Sequence, residues 1–537
     1  MSTTVSYETL LSLLGVLAAV ALLARRLNTA PSILLVLVGI ALALIPGIPP
    51  IELSPQFVLL IVLPPLIYSA GVAMSWREFR FNLRPIALLA FGCVVFTTCA
   101  VAAATHYLLG LPWGIGFLLG AIVSPPDVVA PLALARRLGL PRRLVVILEG
   151  EGLANDATAL VLYRFAVAAV STGAFSFPEA LGTFGAIVVG EIAYGVGVGW
   201  VSLRLRRWAR DPRVEITLSL MTPYLAYWIP EHLGGSGVLA TVAAGLYISW
   251  NGPRLISAAT RLQGIFFWDL LIYLIEGFVF LVTGLQARTL FARIGAHSVR
   301  ELVFGVLLTT VVCVLARFVW VFPATYLPRL LIPAVRRRDP YPPWKMPFML
   351  AFIGVRGVVS LAAALALPLT LQNGAPFPYR DEILVMTFGV IILTLVAEGP
   401  VMPVVSRWLR LPQMAARERG DEREAELRAR HAALAAAERR LDALTGGKTA
   451  NARVAEHLTA RNHHRSLHLP KTAADGFETA AKSAQLHVEL IKAEREYIHE
   501  QLRKGEITDE SRRRIERELD LEEASIFCNR DAYDPPL

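Results

Sequence analysis

Apolar positions dominate the first 411 residues in long runs separated by short polar connectors. A hydrocarbon core of about 30 Å takes roughly 20 apolar residues wound as a helix. By that measure the runs predict thirteen spans: 5–24, 31–47, 56–74, 85–109, 112–135, 143–171, 180–203, 214–230, 235–250, 264–285, 300–327, 346–370 and 382–409. Spans 8 and 9 carry the weakest pattern, and residues 230–237 also read as a break inside one bent hairpin. Beyond residue 411 the pattern changes. Residues 412–445 and 475–526 are rich in Ala, Glu, Arg and Leu at helical spacing, with Gly446, Gly447 and Pro470 interrupting the run. The chain thus reads as a transmembrane domain, 1–411, followed by a mostly helical cytosolic tail, 412–537.

Composition agrees with two solvents. The 537 residues are 55% hydrophobic and 18% charged, against about 25% charged in an ordinary soluble domain. The excess of basic over acidic residues lies in the membrane part, whereas the tail is nearly balanced and holds seven of the ten histidines. The formal net charge of +9 does not point to nucleic acid, because the basic residues sit in short loops. Alternate loops are basic: Arg25 and Arg26; Arg77, Arg80 and Arg84; Arg136, Arg137, Arg142 and Arg143; Arg204 to Arg213; Arg254 and Arg261; Arg329 to Lys345. Basic loops stay on the cytoplasmic side, which predicts an outside N-terminus, an odd number of spans and a cytoplasmic tail. Residues 1–9 carry Glu8 and no Lys or Arg, so the first run reads as a span rather than a cleaved leader. With this count, spans 1–6 and 8–13 can be inverted repeats joined by span 7, a recurring transporter design.

A charge at the centre of a bilayer costs at least about 2.5–3.5 kcal/mol, so acids inside spans are candidates for function. Asp127, Glu149, Glu151, Asp156, Glu191, Asp269, Glu276 and Glu398 qualify, with Arg164, Arg317 and Arg356 as basic counterparts. Asp269 and Glu398 lie close enough to span ends to reach the interface, and Arg164 and Arg317 can snorkel. Asp127, Glu151, Asp156, Glu276 and Arg356 fall mid-span.

Two spans carry breaks. Span 5 has Pro125 and Pro126 directly before Asp127. Adjacent prolines remove two donors and clash with the preceding turn, freeing carbonyls near Ile122 and Val123 that suit a hard cation. Span 12 has Gly354 and Gly357 flanking Arg356. Interrupted spans at equivalent places in two halves mark a transport site. In span 6, Glu149, Gly152 and Asp156 share one helix face, and Glu151 and Asn155 share a neighbouring one. Asp156 can then face span 5 across Gly152, Asn155 can bond the broken backbone, and Glu151 can reach Arg356. No His/Cys cluster, phosphate loop or nucleophile–base pair lies mid-membrane; His106 sits near an outer end and the cysteines in apolar runs. Carboxylates with carbonyls bind protons and hard monovalent cations, and one carboxylate shared by both couples them through competition.

These residues resemble a known family. Residues 120–131 (GAIVSPPDVVAP), 148–160 (LEGEGLANDATAL) and 353–368 (IGVRGVVSLAAALALP), with 63–71 and 274–284, are similar to the bacterial cation:proton antiporter-1 family, the sodium/proton exchangers. Residues 494–524 are similar to the cytosolic end of a bacterial branch. The resemblance implies an all-α polytopic fold with two discontinuous crossing helices, a homodimer in the cell membrane, a dimerisation part from spans 1–3 and 8–10, and a mobile core from spans 4–6 and 11–13. It implies Asp156, after Asn155, as the shared carrier of Na⁺ and H⁺, Asp127 as its companion in holding Na⁺, and an electroneutral one-for-one exchange. Glu151 and Arg356, with Glu276 and Glu149, then serve as ion pairs or charge compensation. Two departures matter. Pro126 replaces a threonine found in some members, and Ser69 and Gly152 stand where others carry Glu and Ser, so the ion preference among Na⁺, K⁺ and Li⁺ stays open. No cofactor, enzyme activity or nucleic-acid partner is expected. A K⁺-selective exchanger, a cation channel and an intramembrane enzyme are the rivals. In the tail, His463 and His464 are candidate pH sensors, with solvated linker as the alternative.

Overall fold

Helix occurs within each of the spans predicted from sequence in the computed structural model, which describes residues 7–27, 29–46, 54–127, 129–172, 177–294, 299–371, 374–445, 456–461, 476–504 and 506–531. Among these residues seven helical stretches are long and apolar enough to cross a membrane: Pro55–Ala73, Leu83–Leu109, Arg142–Thr172, Gly182–Ala209, Ala258–Leu290, Val299–Leu331 and Arg380–Trp408. Pro31–Ala43 and Trp113–Val123 are apolar but shorter. Spans 8 and 9 are two helices, Pro212–His232 and Val238–Leu255, joined by a short turn. The turn between them needs positive φ at Gly234 and Gly237, which glycine adopts without a Cβ penalty. Glu191 of span 7 fixes that turn, accepting from the main-chain N–H groups of Ser236, Gly237 and Leu239.

Prolines set local irregularities. Span 3 begins with a widened turn, Val58–Val62, directly before Leu63, Pro64 and Pro65. Span 4 contains a second, Leu88–Cys93, just after Pro85. Such π-type turns absorb the missing proline donors without ending the helix. Spans 5 and 12 break outright, into Trp113–Val123 plus Val129–Arg137 and Lys345–Phe352 plus Val358–Leu365.

Packing sorts the spans into two groups. Spans 4, 5, 6, 11, 12 and 13 pack on one another, as do spans 1, 2, 3, 7, 8, 9 and 10. Small residues permit the closest approaches in the second group. A Cβ at Gly39 would lie 2.3 Å from the Leu281 carbonyl oxygen, and one at Gly284 2.3 Å from that of Val36, so spans 2 and 10 meet backbone to backbone. Gly71 and Gly245 do the same for spans 3 and 9. Under a repeat that maps span 2 onto 9 and span 3 onto 10, these are one contact made twice, which is the packing an inverted repeat requires.

The chain divides into two compact units, Met1–Leu411 and Pro412–Leu537. The second holds helices Leu411–Thr445, Gly476–Arg503 and Asp509–Asp531. Within the stretch 475–526, read from sequence as helical, the described residues form two helices paired as a hairpin. Its second helix is capped by Thr508, whose hydroxyl accepts from the Ser511 N–H. Arg495 bridges to Asp520 and Glu523 across it. His463, His464, Gly446, Gly447 and Pro470 lie outside the described residues.

Candidate functional site

The breaks in spans 5 and 12 cross. The first half of span 5 ends at Val123, and its last regular bond runs from Ser124 N–H to the Gly120 carbonyl. The extended segment through Pro126 and Asp127 then meets the extended segment of span 12, where Asp127 N–H donates to the Val355 carbonyl at 2.7 Å. A Cβ at Gly357 would lie 2.2 Å from Asp127 Oδ2, so only glycine admits this crossing.

Four half-helix ends converge there, and charged side chains match them. The carbonyl-rich ends at Val123 and Phe352 face Arg356, whose Nε donates to the Val123 carbonyl at 2.8 Å and whose Nη1 bonds the Gly354 carbonyl. The N–H-rich ends at Val129 and Val358 face Asp127, whose Oδ1 accepts from Val129 N–H at 3.0 Å. Cations favour the first kind of terminus and anions the second. The carbonyls freed by the prolines are therefore not all open to a cation: Arg356 holds that of Val123, and Asn155 Nδ2 donates to that of Pro126 at 2.7 Å.

The pairing read from sequence needs correction. Glu151 does not reach Arg356. Both of its oxygens accept from Arg317, and the two side chains are 0% and 2% exposed. Arg317 thus does not snorkel; its Nε also donates to the Leu350 carbonyl. Span 11 places it deep between spans 6 and 12, a relation invisible to spacing within any one helix. Glu398 likewise takes a partner at the crossing. Its helix runs on to Trp408, and its Oε2 accepts from Gly354 N–H at 2.8 Å. Thr394, one turn earlier, takes the Arg356 N–H. Sequence reasoning missed Glu398 as a site residue; the clue was a Glu–Gly–Pro run inside an apolar span. Arg164 also finds a partner, Glu231 of span 8.

The remaining expected residues fall as follows. Glu149 pairs with Arg136 at 2.6 Å near the end of the span. Glu276 has no ion pair among the described residues and lies within electrostatic range of Asp127. Ser69 and Gly152 are part-buried, and Ser69 makes no hydrogen bond to either aspartate among the described residues. Asp269 is exposed.

Glu151 and Glu398 balance Arg317 and Arg356. Asp127 and Asp156 have no basic partner among the described residues, and their charges act on each other. Both keep part of their surface accessible although the surrounding helices are packed. Next to Asp156, Asn155 is fully buried and its Oδ1 has no hydrogen-bond partner among the described residues. A buried acceptor left open is costly unless something fills it. The two carboxylates and this amide oxygen are acceptors only, the chemistry that suits a hard cation or a proton.

A family model described as the transmembrane sodium/hydrogen exchanger matches residues 11–408. The chain belongs to the sodium/hydrogen exchanger family. The exchanger is 33% identical over 522 residues to a Mycobacterium tuberculosis protein named as an uncharacterized Na⁺/H⁺ exchanger, Rv2287, covering 95% of this chain and 94% of that one. It is 34% identical over 381 residues to the sodium, potassium, lithium and rubidium/H⁺ antiporter of Bacillus pumilus, covering 68% and 56%. The sodium proton antiporter MjNhaP1 of Methanocaldococcus jannaschii superposes with a TM-score of 0.61 at 20% identity, covering 76% of this chain and 98% of that one, so the exchanger shares its fold. It is a multi-pass membrane protein that exchanges a cation for protons.

Proposed function

We propose that Asp156 carries either one monovalent cation or one proton, with Asp127 and Asn155 completing the cation's oxygen shell. The observation that supports this most directly is that, among the described residues, Asn155 Oδ1 has no hydrogen-bond partner and Asp156, next in sequence, has no basic one. The reading makes stoichiometry a consequence of charge. A site loaded with Na⁺ and a site loaded with H⁺ differ by nothing in net charge, so the exchange is one-for-one and electroneutral. Na⁺ is the proposed substrate, with Li⁺ and K⁺ as alternatives, because the Bacillus pumilus relative is named for all of them. The protein acts as a transporter and not an enzyme.

In this reading thirteen spans cross the cell membrane, with the N-terminus outside and the tail in the cytoplasm, following the basic loops. Spans 4–6 and 11–13 form a moving core. Spans 1–3 and 8–10 form the fixed part of a homodimer. Asn155 ties span 6 to the crossing through Pro126, so the carrier and both breaks move together.

Reconstituted exchanger tests the reading. Dissipation of a pH gradient is followed on adding Na⁺, K⁺ or Li⁺. Competition for one carboxylate predicts that the apparent KM for the cation rises as pH falls while Vmax holds, and that Asp156→Asn abolishes exchange. A KM independent of pH, or cation-driven proton flux in the variant, refutes the shared carrier.

A further inference from the structure

The rim of the first helix group nearest the 11–12 connector carries a basic cluster that the exchange mechanism does not use. Three guanidiniums converge on one carboxylate. Arg84 at the start of span 4 lies 2.7 Å from Asp339, Arg143 at the start of span 6 lies 2.9 Å from it, and Arg329 at the end of span 11 lies 2.6 Å from it. One aspartate leaves this trio strongly positive. Arg336, Arg337 and Arg338 immediately precede Asp339 on a short helix, Pro333–Arg338, and add to the excess.

Donor capacity remains after these bonds are made. Arg84 uses one nitrogen on Asp339, and its side chain stays 28% exposed. Arg143 gives its Nε to Asn82 and stacks its guanidinium over the Phe81 ring at 5.7 Å. A guanidinium offers five N–H donors in a fork that matches a phosphate. Around the cluster, Phe81, Tyr341 and Trp344 are exposed, as are Leu330 and Leu331. Aromatic rings with an apolar body and a wet edge settle at headgroup depth. Basic pockets between spans on the cytoplasmic side take lipid phosphates.

We propose that Arg84 and Arg143, backed by Arg329, bind the phosphate of an anionic phospholipid headgroup in the cytoplasmic leaflet. The leaflet rests on the orientation given under Proposed function; the chemistry of the site does not. A lipid seated here bridges the ends of spans 4, 6 and 11, which all belong to the group proposed to move.

Native mass spectrometry of the purified full-length exchanger, titrated with phosphatidylglycerol or phosphatidylcholine, tests the site. The wild type is expected to hold phosphatidylglycerol about ten-fold more tightly, and Arg84→Gln or Arg143→Gln to lose that preference. Where one variant does not fold, the other decides. Arg204→Gln, which removes a basic residue near Trp200 outside the cluster, is expected to keep it. Equal binding of the two lipids by the wild type, a preference that survives both cluster variants, or an equal loss in Arg204→Gln overturns the proposal. Displacement of phosphatidylglycerol by millimolar inorganic phosphate assigns the site to free phosphate and overturns the lipid. Asp156→Asn, which removes the carrier, keeps the lipid preference if the two sites are separate, so failure of either reading leaves the other legible.

Discussion

The main-chain N–H of Asp127 donates to the carbonyl of Val355, and this bond joins the two broken spans at their crossing. It exists because neither segment is helical at that point: Pro125 and Pro126 exclude a helix on one side, and Gly354 and Gly357 weaken it on the other. The same crossing sets Asp127 against the N-terminal ends of both second halves.

Gly357→Ala tests the crossing. The new methyl would overlap Asp127 Oδ2 and lie 2.5 Å from Asp127 Cβ, atoms fixed by the backbone bond. Overpacking of this kind costs about 1–3 kcal/mol, which a large protein survives, but the carboxylate must shift. Exchange per mole of purified protein is expected to collapse while most of the protein still folds. Gly354→Ala should be milder, because its methyl meets the flexible end of Arg356 at 2.9 Å. Equal activity of the two variants in gradient dissipation would show that the crossing tolerates displacement.

Glu151→Gln leaves Arg317 buried without a counter-charge. Removing one member of a buried pair typically costs about 3–5 kcal/mol, whereas replacing both members by apolar groups is often neutral. The single variant should therefore lower the melting temperature and yield, and Glu151→Leu combined with Arg317→Met should recover most of both. If Arg356→Met rescues Glu151→Gln instead, the pairing seen here is wrong.

The breaks were legible in the sequence because proline and glycine act on their own backbone. Asn155 and Asp156 were legible because helical periodicity places them on the inner faces of span 6. The partner of Glu151 was not. Arg317 lies 166 residues away, and only the packing of span 11 against spans 4 and 12 decides which of two arginines reaches it. Glu398 was misjudged for a related reason: distance along its own span does not show that the broken segment of span 12 packs against it and donates the Gly354 N–H. The tail turn near Thr508 was hidden because one glycine in a charged helical run is a weak stop.

Glu398 supplies one of the two negative charges that balance Arg317 and Arg356. Glu398→Gln keeps an oxygen for the Gly354 N–H and removes the charge. The uncompensated guanidinium then opposes a cation at Asp127 and Asp156. The expected result is a raised apparent KM for the cation with little change in Vmax, while Glu398→Ala, which also frees the Gly354 N–H, should lower yield. A changed Vmax with an unaltered KM in Glu398→Gln would remove Glu398 from the electrostatics of the site.

Arg164 and Glu231 form an ion pair between span 6 and span 8, hence between the two helix groups. If the groups slide past one another during exchange, this pair must part in every cycle. Arg164→Cys and Glu231→Cys, introduced together where Cys93, Cys99, Cys313 and Cys528 are replaced by serine or alanine, place two thiols at the contact. A short bifunctional thiol reagent should then arrest exchange, and reagents cleavable by reductant should allow its recovery. Each single cysteine variant treated in the same way should keep its activity. Full exchange in the cross-linked protein, with the link verified by mass, would mean that spans 6 and 8 hold one relation throughout the cycle, and the proposed division into moving and fixed groups would have to be redrawn.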